Sequence, residues 1–273
     1  MSDALKPTCD QKTRFWKAQK NTFGLLPGLE GTCPDCTCGP GGCWYQMPGR
    51  KIHTCYVDNL MRARPNVKAS LAHNTQLLMS ASLLKQRELL CTEFSRFQNT
   101  EDRHAAKTGS YPARLFYRIH WSGDFFNKTY AHAMREAVRQ YPQITFWCYT
   151  RSFSTVPIFS GLSNFILYLS LDVVNAQHGL TVYNDFVEDP NIRLCYMSSD
   201  DNFQQQLVTA KTILDGRNSL AEMLGAPLQY ASWTEDIKMR GCPVDLGKLT
   251  LEGGCAACGM CVNDAQKPVW FKS

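Results

Sequence analysis

Between residues 114 and 197 the chain carries apolar runs broken by short polar stops. Strands are predicted at 114–121, at Ile144–Tyr149, at Asn164–Leu169 and at Asn191–Met197. Each is nearly continuous in apolar residues, as a strand buried on both faces must be. The first ends in Ser122-Gly123-Asp124, the second in Thr150-Arg151-Ser152 and the third in Ser170-Leu171-Asp172. Between the first two, Tyr130, Met134, Ala137, Val138 and Tyr141 recur at helical spacing, predicting a helix over 127–141. Strands alternating with helical crossovers imply βα units and a mostly parallel sheet. The predicted fold class is therefore α/β, with a partial (β/α) barrel as its architecture.

The flanks read differently. Residues 1–20 have no period and read as a loose arm, and Asn21–Pro27 as a short strand entering a turn. A helix is predicted from Val57 to just before Pro65. A longer one, over 67–98, carries Leu71, Leu78, Leu83, Leu84, Leu90, Phe94 and Phe97, and a solvated connector over 99–112 follows. Asp201–Leu214 reads as a helix. The whole is taken as one domain over 1–273: a cysteine-rich loop at 21–56, a helical part at 57–98, a βα core at 114–215 and a cysteine-rich C-terminal segment at 240–273.

With 44% apolar residues in 273, the chain can bury a sizeable core. The net charge of +5 is spread out, which is weak support for a nucleic-acid partner. Arg50, Lys51, His53, Arg62, Arg64 and Lys68 read as a solvated face. No run approaches the roughly 18 apolar residues of a membrane span, and the first residues lack a signal pattern. The expectation is a cytoplasmic protein with no membrane partner.

Thirteen cysteines alter this picture. Structural disulfides are disfavoured in the cytosol, and an odd number cannot all pair. Five cysteines fall between 33 and 55 and four between 242 and 261, and such clustering points to metal. Cys255, Cys258 and Cys261 form C-x2-C-x2-C, with Cys242 thirteen residues earlier. Three thiolates in one short glycine-containing loop and a fourth from a distance suit a [4Fe-4S] cubane. A zinc site with four thiolates is the alternative, although zinc more often takes two separated pairs. In the N-terminal group, Cys33 and Cys36 make half a zinc site. Cys33, Cys43 and Cys55 with Cys36 or Cys38 make a second cluster site, and a structural knuckle is the third reading.

The strand-end residues His120, Ser122, Gly123, Asp124, Thr150, Arg151, Ser170 and Asp172 converge on one face if the strands are parallel. Asp124 and Asp172 suit amino or hydroxyl groups of a ligand, and Arg151 suits a carboxylate or phosphate. The plainer reading makes Asp124 a helix cap and His120 a satisfied core residue. Glu235 is a weak candidate.

Several of these blocks occur together elsewhere. Cys33-Pro, Gly-Gly-Cys43, Cys55-Tyr56, Arg64-Pro-Asn-Val67, Asn74, Arg118-Ile-His-Trp-Ser-Gly-Asp-Phe125, Tyr149-Thr-Arg-Ser152 and Cys242-Pro with the closing triplet resemble the "gene product eighty-eight" family of phages and prophages. The resemblance implies a phage origin and a bacterial host cell more than an activity. The layout is also similar to the radical S-adenosylmethionine superfamily. Cys33, Cys43 and Cys55 would follow the first strand, and Ser122-Gly123-Asp124 would stand for the glycine-rich acidic motif. The tight C-x3-C-x2-C of that superfamily is absent here.

The function expected is that of an iron–sulfur protein, a redox or radical-type enzyme on an unknown substrate, served by an electron donor, with or without S-adenosylmethionine. Asp124, Arg151 and His120 are the expected catalytic residues, and Ser122, Gly123, Asp124, Ser170 and Asp172 the cofactor-binding ones. The alternative is a zinc-stabilised, non-catalytic protein that binds nucleic acid or a host protein.

Overall fold

In a computed structural model, the structure describes residues 3–8, 16, 19–37, 55–112, 114–172, 174–198 and 269–272. The described elements run α1 (Tyr56–Ala63), α2 (Pro65–Met79), α3 (Leu83–Thr108), β1 (Leu115–Arg118), α4 (Lys128–Arg139), β2 (Ile144–Thr150), α5 (Val156–Phe159), β3 (Phe165–Leu171), α6 (Ala176–Asn184), β4 (Ile192–Ser198) and β5 (Val269–Lys272). Four strands from the middle of the chain, joined by β5, form an all-parallel sheet in the order β1-β2-β3-β4-β5. Phe146 pairs with Phe165, Leu167 with Ile192 and Cys195 with Val269. The α/β class expected from the apolar runs is what the chain forms.

Side chains alternate across the sheet, and the two faces differ. Tyr117, Ile144, Phe146, Cys148, Phe165, Leu167, Leu169 and Leu194 join one core with the buried residues of α3, α4, α5 and α6. The opposite face gathers Trp147, Ile166, Tyr168 and Cys195, flanked by Phe116 and Tyr149, into a separate cluster of strand residues alone. Among the described residues, helices thus cover one face of the sheet.

Helix boundaries follow local chemistry. Pro65 starts α2, where a missing N–H costs nothing. Asn127 caps α4 by accepting from the Tyr130 N–H at 2.8 Å, and Ser82 does the same for α3 from Lys85. Each cap contributes about 1 kcal/mol. The Ser82 cap also explains a difference from the sequence reading. The expected helix over 67–98 is two helices, because Ser80–Ser82 breaks it and resets its phase. Leu84, placed on the buried stripe by periodicity, is 65% exposed. The second helix then runs on to Thr108, through what reads as a connector. It is held there by the buried Glu101 and stopped by Gly109 at φ 68°. Glu93, next to the core residue Phe94, accepts from the Tyr117 hydroxyl at 2.7 Å and from Arg96, fastening α3 to β1.

The described part of the N-terminal arm is packed. Asn74 of α2 accepts from the Lys6 N–H at 2.8 Å and donates to the Lys6 and Gly24 carbonyls. Thr8 bridges to Thr22, and Trp16 donates to Glu101 while stacking on His104. The short strand expected at 21–27 is present as backbone pairing beside β1. Arg118 N–H donates to Asn21, Trp121 N–H to Phe23, and Leu25 N–H to Ser122. Helix α6 is absent from the sequence reading, and it contains Gly179. A Cβ there would strike Leu171 and Phe153, so the glycine serves close helix–strand approach. The helix expected at Asp201–Leu214 lies outside the described residues.

Candidate functional site

The carboxyl ends of β1, β2 and β3 meet the segment that follows Asn21–Leu25. That segment turns at Gly28 and brings Thr32, Cys33, Cys36 and Thr37 back over the sheet edge. Thr32 N–H donates to Leu26 and Cys33 N–H to Gly28, and Cys36 N–H closes a turn on the Cys33 carbonyl at 3.1 Å.

Ser122, Gly123 and Asp124 receive this segment. The Ser122 hydroxyl donates to the Leu25 carbonyl at 2.8 Å. Gly123 has φ 83°, and a Cβ on it would come within 2.5 Å of Thr32 Oγ1 and 2.6 Å of Leu25 Cβ. Asp124 N–H donates to Thr32 Oγ1, whose own hydrogen goes to the Leu26 carbonyl. The motif is thus a seat for the chain that leads into the cysteines.

Asp124 is 5% exposed and its carboxylate is engaged on every side. Oδ1 accepts from Thr150 Oγ1 at 2.6 Å and from Phe125 N–H at 2.7 Å. Oδ2 accepts from the backbone N–H groups of Arg151 at 2.7 Å and Ser152 at 3.3 Å. Burial pushes its pKa up, while the bonds from Thr150, Arg151 and Phe125 pull the other way. The helix-cap reading of Asp124 is replaced, because Asn127 caps α4. Asp124 instead fixes the loop after β2.

Asp172 does for the next loop what Asp124 does for that one. It is fully buried, and Oδ1 accepts from Val174 and Asn175 N–H at 2.9 and 3.1 Å. Oδ2 accepts from the Thr37 hydroxyl and from Arg151, whose Nε and Nη2 both stand at 3.3 Å. One carboxylate oxygen therefore joins the cysteine segment to the arginine. Ser170, expected just past the strand, lies inside β3 opposite Cys195, and its carbonyl accepts from Asn175 Nδ2.

His120 lies beneath these groups. It is 3% exposed, adopts φ 55°, and is boxed by Phe23, Phe125 and Tyr130, with Nε2 at 2.6 Å from the Tyr130 hydroxyl. Among the described residues, its buried Nδ1 has no hydrogen-bond partner. Burial lowers its pKa to about 3, so the imidazole is neutral at physiological pH. This is core behaviour in a residue expected to be catalytic. Burial likewise holds the thiol of its neighbour Cys148 well above the ordinary range.

Among the cysteines expected to bind metal, Cys33, Cys36 and Cys55 are described. Cys36 is 7% exposed, Cys33 is half-buried, and Cys55 occupies the N-cap position of α1. Cys38, Cys43, Cys242, Cys255, Cys258 and Cys261 lie outside the described residues, as does Glu235. Among the described residues, no group of three or more His, Cys, Asp or Glu side chains is placed to hold a metal ion.

Sequence reasoning missed Thr32, Thr37 and Tyr130. The two threonines bracket Cys33 and Cys36, and that bracketing was the available signal. Arg62, Arg64 and Lys68 are exposed, as expected, with Arg62 paired to Asp58 at 2.7 Å. No described helix is long and apolar enough to cross a membrane.

The Gene 88 protein of Mycobacterium phage L5 is 30% identical to this chain over 246 residues, 89% of this chain and 83% of its own. The Gene 88 protein of Mycobacterium phage D29 is 28% identical over 257 residues, 93% of this chain and 87% of its own. No solved structure matches the chain. The profile of the Gene product 88 family matches residues 3–264, which span the strand-end seat and both cysteine groups, so the chain belongs to the Gene product 88 family.

Proposed function

We propose that this chain is an iron–sulfur protein of the phage-infected cytoplasm, a redox or radical-type enzyme on a segment of a (β/α) barrel. The carrying observation is the pair of hydroxyls around Cys33 and Cys36. Thr32 meets Asp124 and Thr37 meets Asp172, which pins the thiol pair over the strand ends where α/β proteins bind ligands. Sequential strand order and, among the described residues, a helix layer on one face are what a barrel segment requires, whereas a doubly wound sheet is covered on both faces.

In this reading Cys242, Cys255, Cys258 and Cys261 hold one cubane, and Cys33, Cys43 and Cys55, with Cys36 or Cys38, hold a second centre or share the first. A bound cluster supplies one-electron transfer, with S-adenosylmethionine or the substrate as acceptor. The chain's own residues do the rest. Arg151 presents a cation to substrate, Asp172 orients it, and Asp124 fixes the backbone from which it projects. The Ser122-Gly123-Asp124 side of the site seats the loop and is not assigned to the cofactor.

The test is iron, zinc and sulfide content of anaerobically purified protein, with the visible spectrum before and after dithionite. The expected result is brown protein with about four iron and four sulfide per cluster, bleached by reductant. Colourless protein with stoichiometric zinc would overturn it. It would favour the second reading, a zinc-stabilised protein binding nucleic acid or a host protein. One observation speaks for that reading: the hydrogen-bonded Cys33–Cys36 turn has the form of half a zinc knuckle.

A further inference from the structure

We propose that Tyr130 is a redox-active tyrosine, and that His120 is the base that takes its proton and returns it. The Tyr130 side chain is fully buried, and its hydroxyl lies 2.6 Å from His120 Nε2, with the two rings stacked at 5.6 Å and 27°. The rings of Phe23 and Phe125 meet the imidazole, and Phe126 stacks on Tyr130 at 4.5 Å and 11°. The hydrogen shared by the pair belongs to the phenol. If Nε2 donated instead, the phenolic hydrogen and the Nδ1 lone pair would both be buried without a partner. With the hydroxyl donating, Nδ1–H is the one group of the pair left over among the described residues. His120 reaches this position at φ 55°, a conformation that side chains seldom take. Strain held at one residue points to a use for that residue.

Burial, with Cys148 and Asp124 nearby, holds Tyr130 well above the ordinary tyrosine range, so it stays a phenol at physiological pH. Electron loss changes that, because an oxidised phenol is a far stronger acid than an imidazolium, even one that burial disfavours. Tyr130 then gives one electron to the oxidant and its proton to Nε2. A neutral tyrosyl radical forms beside an imidazolium. One-electron reduction draws the proton back and restores both groups. The oxidant is an organic radical at the strand ends, which gains the electron from Tyr130 and a proton from solvent and ends closed-shell. Phe125, which follows Asp124, places its ring 6.0 Å from that of Tyr130 and so links the strand ends to the pair. The pair serves that site as a radical sink. The choice of oxidant rests on the radical-type reading above, and the pair itself does not.

Flash photolysis of tris(bipyridine)ruthenium(II) with a sacrificial acceptor tests this on the full chain, with iron assayed on the same sample. It supplies a one-electron oxidant that owes nothing to a cluster. Exposed tyrosines such as Tyr111 give short-lived radicals, whereas a buried one persists. Wild type is expected to show a persistent tyrosyl signal by electron paramagnetic resonance. At high field that signal should carry a hydrogen bond from an exchangeable proton. Tyr130→Phe, which keeps the ring and its packing, should abolish the signal. His120→Asn, which suits the left-handed backbone, should slow its formation about a hundredfold, as loss of a positioned base does. The high-field spectrum of wild type needs no variant to fold. No persistent radical in wild type, a signal that survives Tyr130→Phe or lacks the exchangeable hydrogen bond, or formation unchanged in His120→Asn would overturn the proposal. A radical in iron-free protein sinks the iron–sulfur reading and keeps the pair, and iron without a radical does the reverse.

Discussion

His120 carries the sharpest prediction at the scale of one residue. Its folded pKa of about 3 lies below the ordinary 6.5. Between those values the unfolded chain takes up a proton that the folded chain refuses. Stability contributed by the neutral imidazole is complete above about pH 6.5 and is lost as pH falls through the window. At about 1.4 kcal/mol per unit, the loss reaches about 3 kcal/mol by pH 4. Asp124, Glu93 and Glu101 act in the opposite sense, since burial raises each of their pKa values and acid relieves them. The net slope is therefore a difference, and the variant isolates one side of it. His120→Asn tolerates the left-handed backbone and removes the titration. The urea midpoint at pH 4, taken relative to that at pH 7, should be higher in His120→Asn than in wild type. An unchanged gap would mean that His120 titrates freely.

At the scale of elements, Asn74 decides whether the N-terminal strap belongs to the fold. One amide side chain bonds both backbone groups of Lys6 and the carbonyl of Gly24. Asn74→Ala should cost about 2–3 kcal/mol, because it leaves buried backbone groups unpaired. It should also open residues 3–8 to proteolysis while β2 and β3 stay protected, and equal protection at both places would refute the docking. The strap marks where the sequence stops being legible. Continuous apolar runs such as Phe165–Leu171 announce buried parallel strands, and Tyr130, Met134, Ala137 and Val138 announce α4, because each pattern is local. The break at Ser80–Ser82 is local too, but it is chemical and not periodic, so Leu84 was placed on the wrong face. The strand-end set was visible residue by residue as polar stops. What those residues bind was hidden, because Thr32 reaches Asp124 across 92 positions and Thr37 reaches Asp172 across 135. No spacing rule spans such gaps.

For the whole molecule, the question is how far metal and fold depend on each other. Small metal domains unfold without their metal because the site is their core. Among the described residues, the main cluster of buried side chains, from Leu78 and Phe94 through Tyr117, Phe146 and Leu167 to Leu194, includes none of Cys33, Cys36 and Cys55. The described part of the N-terminal cysteine group hangs from Thr32 and Thr37 at the strand ends, and in sequence the C-terminal group precedes β5, with Cys261 eight residues before Val269. In the proposed reading, metal held at 242–261 would therefore bear on whether β5 stays paired to β4 more than on whether the sheet exists. Stripping the metal should leave far-UV circular dichroism largely intact. Hydrogen exchange should rise at Val269–Lys272 and at residues 32–37, with the central strands still protected. Loss of β5 also bares the edge of β4, a row of unpaired N–H and C=O groups, so the stripped protein should self-associate at concentrations where the loaded protein is monodisperse. Cooperative collapse of the dichroism on metal removal would show instead that the cysteine segments are part of one folding unit with the sheet. Their chemistry would then have to be sought in a site that cannot be emptied without losing the fold.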